Sequence, residues 1–471
     1  MIPAQEYKQR RERLMSRFSG DSVIFLNGNA VTERNPDVEL EFRQNSHVLY
    51  LSPLDFPDVS VLLVPKENKF VLFHPPNTSD YEIWNGKRIS PHELKQVYGA
   101  NEVYSPDRME EIVSGYKPKT VHSIQGLNGP FAKFSEKDLA QALVEMRSVK
   151  SPNEVEEIED AFAVTANAYN AMMRLTRPGI NVLSLQAALE AVYRANECTY
   201  FFLPIITNDG SILHTYRNSG ILKEGDWLVA DSGAELLRSH YGADLTRSWP
   251  ANGRFTSEQA QIYDLVLGVQ KECIGMLKPG VNYKDVHLLA ERRIAEGLRN
   301  IGILRGNLND ILENGAHSLF FPHGVGHLFG IDVHDIGDKK DLVAGYNQQN
   351  PRSTRLGLKS LRFAQAVQES MVITVEPGIY FVDGLLNNPE VYGPHEEFIN
   401  LDLARRFRSL VPGTRIEDNV LVTLNGPGVL GTGIPKEMAD ISQIVGSGGV
   451  SLEELLIPIK PQQSSRTVRG S

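Results

Sequence analysis

At 471 residues the chain is too long for a single compact core and suits two or three domains. A formal net charge of −10, without any stripe of Lys and Arg, argues against nucleic acid or an anionic membrane as a partner, and no apolar run is long enough to span a bilayer. Hydrophobic residues at 41% and charged residues at 23% are the proportions of an ordinary globular protein.

The first residues, Met1-Ile-Pro-Ala-Gln-Glu-Tyr-Lys-Gln-Arg-Arg-Glu-Arg-Leu, lack the apolar centre of a signal peptide, and Glu6 and Glu12 argue against a transit segment. A short amphipathic helix is expected there. Only Cys198 and Cys273 occur, so no disulfide framework is implied and a reducing, cytoplasmic setting is expected. Ser22-Val-Ile-Phe-Leu-Asn, Val59-Ser-Val-Leu-Leu-Val-Pro and Lys69-Phe-Val-Leu-Phe read as buried strands between turn clusters. Residues 1–148 therefore read as a mixed α/β domain, a scaffold or gate with few residues of catalytic type.

A second domain, 149–460, opens at Lys150-Ser-Pro-Asn-Glu. Ser151 is a good N-cap, Pro152 suits the first helical position and Glu154 completes a capping box. Val155, Ile158, Phe162, Tyr169 and Met172 then recur at helical spacing. Thr256 and Gln259 form a second such box before Ile262, Val266, Val269, Cys273 and Met276. The two helices end alike, in Arg177-Pro-Gly-Ile-Asn and Lys278-Pro-Gly-Val-Asn. Farther on, Val229-Ala-Asp-Ser-Gly is echoed by Thr374-Val-Glu-Pro-Gly. Two matched signals in the same order point to an internal duplication with a pseudo-twofold arrangement. Segments 338–370 and 382–414, rich in Gly, Pro and Asn, are expected to be insertions covering one side of the site. The tail 461–471 is polar and expected to be disordered.

Five residues of this second domain carry metal-binding atoms at turns or in apolar stretches: Asp231, Asp244, His327, Glu376 and Glu417. Four buried carboxylates repel one another and lose hydration, so positive charge must sit among them. Two divalent cations would supply it, which points to a dinuclear metal hydrolase. Oxygen ligands with one imidazole suit manganese, cobalt or zinc. Each ligand alone has a plainer reading: Asp231 as a turn residue, Glu417 as a partner of Arg415, His327 as a structural histidine. Their combination carries the argument.

Several motifs resemble those of the Xaa-Pro peptidases, aminopeptidase P and its relative prolidase, which share the creatinase-like or pita-bread fold. They are Phe42-Arg-Gln-Asn-Ser, Glu82-Ile-Trp-Asn-Gly-Lys-Arg, Ile212-Leu-His-Thr, Pro322-His-Gly-Val-Gly-His, Ile331-Asp-Val-His-Asp and Val375-Glu-Pro-Gly-Ile-Tyr-Phe. The resemblance covers nearly the whole chain and implies an α/β (α+β) architecture with a pita-bread catalytic domain. It implies that Asp231 chelates one metal, that His327 and Glu376 serve the other, and that Asp244 and Glu417 bridge the pair. Glu376 would also act as general base, with His214, His323, His334 and Arg415 around the reacting bond and Tyr380 as a wall of the proline pocket. His323 could instead merely fix the glycine loop. Trp84 and Arg88 resemble residues that reach a neighbouring subunit's site, which implies a homodimer or homotetramer; the plainer reading puts Trp84 in the local core. The expected activity is that of a manganese-type Xaa-Pro aminopeptidase, acting on peptides with proline second. Prolidase is the alternative within the fold, and a catalytically inactive peptide- or protein-binding protein is the alternative outside enzymes. The large N-terminal domain argues against methionine aminopeptidase. Three departures stand out. Asp231 and Asp244 are thirteen apart, a two-residue insertion in the family's usual spacing; segment 382–414 looks more like prolidase; and Pro435-Lys-Glu lacks an arginine that some prolidases place there.

Overall fold

Alternating side chains in three apolar segments build the sheet of the N-terminal unit. A computed structural model describes residues 1–124, 134–215, 219–336 and 340–458; the tail expected to be disordered lies outside them. The chain divides into two compact units, Met1–Arg147 and Ser148–Ser471.

In the first unit, Ser22–Asn27 pairs antiparallel with Ser60–Val64, which pairs antiparallel with Lys69–Phe73. Short parallel strands at Glu102–Tyr104, Thr120–His122 and Phe134–Ser135 extend this to six strands. Because successive side chains point to opposite faces, Ile24, Leu26, Val61, Leu63, Phe70 and Leu72 enter one core and Val23, Phe25, Leu62, Val64, Val71 and Phe73 the other. Burial on both faces explains why these strands read as unbroken apolar runs. The helix Ala4–Met15 covers the first face with Leu14 and Met15. Its buried Arg10 and Arg11 donate to the carbonyls of Tyr50 and Leu51 at 3.0 and 2.7 Å, satisfying orphan acceptors at the end of the helix Ser46–Leu51.

The second unit repeats one arrangement twice. Ser151 and Glu154 form the reciprocal capping box that starts the helix Pro152–Leu175, and Thr256 with Gln259 does the same for Ser257–Met276. After each helix the chain turns at a Pro-Gly pair, with Gly179 at φ +87° and Gly280 at φ +91°. Asn181 and Asn282 then cap the helices Val182–Ala195 and Tyr283–Ile301 with the same 2.9 Å bond to the second helical N–H. A three-stranded antiparallel sheet follows each helix pair. The first orders Ile205–Thr207, Trp227–Asp231 and Thr246–Pro250; the second orders Val372–Val375, Asp418–Thr423 and Gly426–Val429. The duplication inferred from the repeated words is thus a duplication of elements.

Candidate metal centre

Each half delivers two acids by the same device. Asp231 ends its strand opposite Thr246, two residues after Asp244 on the neighbouring strand. Glu376 directly follows Val375, whose partner is Asp418, and Glu417 precedes that partner. The Glu417 N–H donates to the Thr246 carbonyl at 3.0 Å, which fixes the first half's acids against the second's. Two glycines allow the close approaches. A side chain on Gly233 would lie 1.7 Å from the Ala243 carbonyl oxygen beside Asp244. Gly326, at φ +158°, lets the loop before His327 lie on the Thr374 carbonyl, 2.1 Å from where a Cβ would be.

His327 is buried, and its Nδ1 lies 3.0 Å from the Leu328 carbonyl, which can only accept, so the ring's Nε2 carries the available lone pair. That nitrogen stands 3.4 Å from both Asp244 and Glu376. Ligand atoms of Asp244, His327 and Glu417 all fall within 4.8 Å of one another. The buried Oδ1 of Asp231 has no hydrogen-bond partner among the described residues, while its other oxygen accepts from Arg415. Burial raises the carboxyls of Asp231, Glu376 and Glu417 above their usual range, and mutual repulsion with Asp244 raises them further. Arg415 opposes the shift at all three. The His327 imidazole shifts upward: burial opposes the charged ring, but Asp244 and Glu376 outweigh it. Four acids, one of them with an orphaned oxygen, and the His327 imidazole form a donor set that fits divalent cations.

These residues lie at a cavity of about 610 Å³ lined also by His214, His323 and His334. His334 stacks edge-on against His327, with ring centres 4.5 Å apart. His214 is exposed at the cavity's edge. His323 has both ring nitrogens engaged, Nδ1 with the Gly324 carbonyl at 2.8 Å and Nε2 with the Tyr380 hydroxyl at 2.9 Å. Burial and then Arg415 push its ring down to about 3, so it is neutral.

Tyr380, expected as a wall of the proline pocket, is fully buried and does not line the cavity. Its strand Gly378–Tyr380 pairs with Gly413–Arg415, and this turns the hydroxyl to accept from Arg415 at 2.8 Å and face His323. The walls come instead from residues the sequence reading missed: Phe202, Leu203, Leu213, Val333 and Arg362. Leu213 and Val333 fall inside quoted motifs without being singled out there, and Phe202, Leu203 and Arg362 fall in none. Arg362 sits in the segment expected to cover the site, and burial lowers its guanidinium from the usual value.

Residues 156–424 match the family described as Metallopeptidase family M24, and residues 7–122 match the aminopeptidase P N-terminal domain. The chain belongs to metallopeptidase family M24. A Xaa-Pro aminopeptidase of Haemophilus influenzae is 31% identical over 462 residues, covering 94% of this chain and 98% of the relative. The human Xaa-Pro dipeptidase is 30% identical over 470 residues, covering 93% of each. Among solved structures, Pseudomonas aeruginosa aminopeptidase PepP superposes with a TM-score of 0.79 at 29% identity, over 95% of this chain and 98% of that one. A variant of Escherichia coli aminopeptidase P in complex with substrate gives 0.79 at 25% identity, over 94% and 98%.

Within this M24 chain the thirteen-residue span from Asp231 to Asp244 is a hairpin. Leu236 and Tyr241 still pair, and the turn between them is tied back to the helix Pro152–Leu175 by Arg238 on Glu157 at 3.0 Å and Tyr241 on Glu154 at 2.6 Å. Asp231 pairs in regular register with Thr246. In the N-terminal unit, Trp84 is 81% exposed on the helix Ser79–Asn85, which removes the local-core reading. Arg88 stacks over the Tyr81 ring at 3.5 Å and reaches Asp58 at 3.4 Å. Among the described residues no helix is long and apolar enough to cross a membrane.

Proposed function

We propose that this metallopeptidase is a dinuclear Xaa-Pro aminopeptidase that releases the first residue of peptides with proline second. The observation that carries the reading is the convergence of Asp244, His327 and Glu417 within 4.8 Å in a chain of this family. Asp231 would hold one ion, His327 and Glu376 the other, with Asp244 and Glu417 shared; the oxygen-rich set suits manganese, with cobalt or zinc as substitutes. Bound there, two cations supply the field that acidifies a water and polarises a carbonyl.

The chain's own residues do the rest. Glu376, whose carboxyl burial raises toward neutrality, takes a proton at its carboxylate and returns it to the departing proline nitrogen. Its N–H bond of 2.8 Å to the Val325 carbonyl holds that carboxylate toward the cavity. His334 and His214 face the space where a substrate carbonyl would lie and can donate to it. Arg415 orients Asp231, and Tyr380, from behind the cavity, bridges Arg415 to His323, so these three tune the site through the groups they hold. A bond to proline is a tertiary amide without an N–H, so recognition must come from shape, and Phe202, Leu203, Leu213 and Val333 offer an apolar wall. Exposed Trp84, with Arg88 close by, supports a homodimer or homotetramer in which the tryptophan reaches a neighbouring subunit.

One observation favours the second reading, a dipeptidase: the Arg362 cation lines the same cavity and could pair with the free carboxylate of a Xaa-Pro dipeptide. Product release from Xaa-Pro and from Xaa-Pro-Xaa-Xaa, each with manganese, separates the two. Faster cleavage of the tetrapeptide is expected; efficient cleavage of the dipeptide alone would overturn the aminopeptidase reading.

A further inference from the structure

Behind the cavity, a chain of buried polar groups ends on the backbone of the loop that carries His323 and His327. His287, on the helix Tyr283–Ile301, has no exposed surface, and its Nδ1 accepts the Val325 N–H at 3.2 Å. An acceptor at Nδ1 puts the proton of the neutral ring on Nε2, which faces Glu291 Oε1 at 3.1 Å, one helical turn on. The other Glu291 oxygen accepts from Arg355 at 2.6 Å, and Arg355 also contacts His317 Nε2 at 2.8 Å. Burial alone would raise the Glu291 carboxyl, but the bond from His287 and the nearby His317 ring outweigh it and hold it below its usual range.

The end point of this chain is what gives it a function. Val325 lies midway between His323 and His327, and its carbonyl accepts the Glu376 N–H at 2.8 Å. One residue is therefore held by His287 at its N–H while its carbonyl, in the next peptide unit, holds the backbone of Glu376. At the far end, Arg355 belongs to the segment that supplies Ser360 and Arg362 to the cavity wall. None of Arg355, Glu291 and His287 lines the cavity, and no motif marks them.

We propose that Arg355, Glu291 and His287 are positioning residues: they lock the Val325 peptide, and through it His327 and Glu376, in register with the segment that walls the cavity. The inference rests on the proposed roles of His327 and Glu376. A hydrophobic packing role would not need the ordered donor–acceptor sequence, in which the Val325 N–H donates to His287 while His287 and Arg355 both donate to Glu291.

The test uses Arg355→Met, because Arg355 is partly exposed and its loss leaves no fully buried gap. Hydrogen–deuterium exchange is read on chelated, metal-free protein over peptides spanning residues 320–328, and kcat and KM on manganese-loaded protein with a Xaa-Pro-Xaa-Xaa substrate. Exchange at Val325 should quicken about tenfold or more while the helix Ser257–Met276 keeps its protection, and kcat should fall about tenfold with KM within about twofold. Arg355→Lys, which retains the charge, should recover at least part of both. Unchanged exchange would overturn the proposal, and so would faster exchange with unaltered kcat. If Arg355→Met fails to fold, Arg355→Lys and Glu291→Gln are read by the same two measurements against the same criteria. A parent protein without peptidase activity would sink the functional reading, whereas the exchange result is independent of turnover.

Discussion

The two units bury ionisable groups in opposite ways. In the N-terminal unit the buried cations of the first helix are matched separately, Arg10 to the Tyr50 carbonyl and Glu6 and Arg11 to the Leu51 carbonyl, and His74 is buried with neither ring nitrogen partnered among the described residues. The catalytic unit instead gathers four acids around Arg415 and His327, and burial raises three of them together. A lone buried group is an accident of packing that the fold tolerates at a cost of a few kcal/mol. A cluster of like charges would not survive as an accident, because each acid worsens the burial of the next. Location alone is therefore a weak guide to function; mutual aggravation of buried charges is a stronger one.

The sharpest way to break the contrast is to remove the acid proposed to move the proton. Glu376→Ala should lower kcat by about 10³-fold or more, with the far-ultraviolet circular dichroism unchanged, since the carboxyl is partly exposed and its removal relieves repulsion. Turnover near the parental rate would take Glu376 out of the mechanism.

A smaller effect, on stability, should appear in protein stripped of metal with a chelator. The folded-state pKa values of Asp231 and Glu376 rise to about 6 and about 7, above the ordinary 3.8 and 4.5. Groups raised in this way contribute stability that is fully present below their unfolded values and is lost as pH rises through the folded ones. Metal-free protein should then melt about 5 °C higher at pH 5 than at pH 8, and saturating manganese should abolish or reverse that slope. A metal-free protein equally stable at both values would mean that the acids are not crowded as described.

Much of this cluster was legible in the sequence because metal-type acids fall at strand ends within apolar words, and both halves repeat those words. The capping boxes at Ser151 and Thr256 and the strands at Ser22 and Lys69 were legible for a similar reason: local chemistry dictates them. What escaped depends on direction and on distance along the chain. Tyr380 follows Gly378 and Ile379 in a strand, and sequence does not say that the neighbouring strand brings Arg415 to its hydroxyl, away from the cavity. Arg362 and the wall at Phe202 and Leu203 sit in irregular backbone, where neither period applies. His287 looks like any polar residue of an amphipathic helix until the loop bearing Val325 is folded onto it.

The gentlest test returns to the N-terminal unit. Burial first, then the Arg88 guanidinium, pushes the His74 ring down to about 4 from its ordinary 6.5. As pH falls below 6.5 the unfolded chain takes up a proton that the folded ring refuses, so stability is present above that value and is lost toward pH 4. Phenylalanine at this position would keep the edge-on contact with Phe56, whose ring centre is 5.1 Å away, and would leave no unpartnered nitrogen. His74→Phe should therefore melt close to the parent at pH 8 and be about 1–2 kcal/mol more stable than it at pH 5. In chelated protein the same variant should steepen the opposite slope of the catalytic unit, since the acid-side penalty that partly masks it has been removed. Identical pH profiles for variant and parent would show that His74 finds a proton acceptor in the folded state, and the contrast between lone and clustered burial would then lose its N-terminal half.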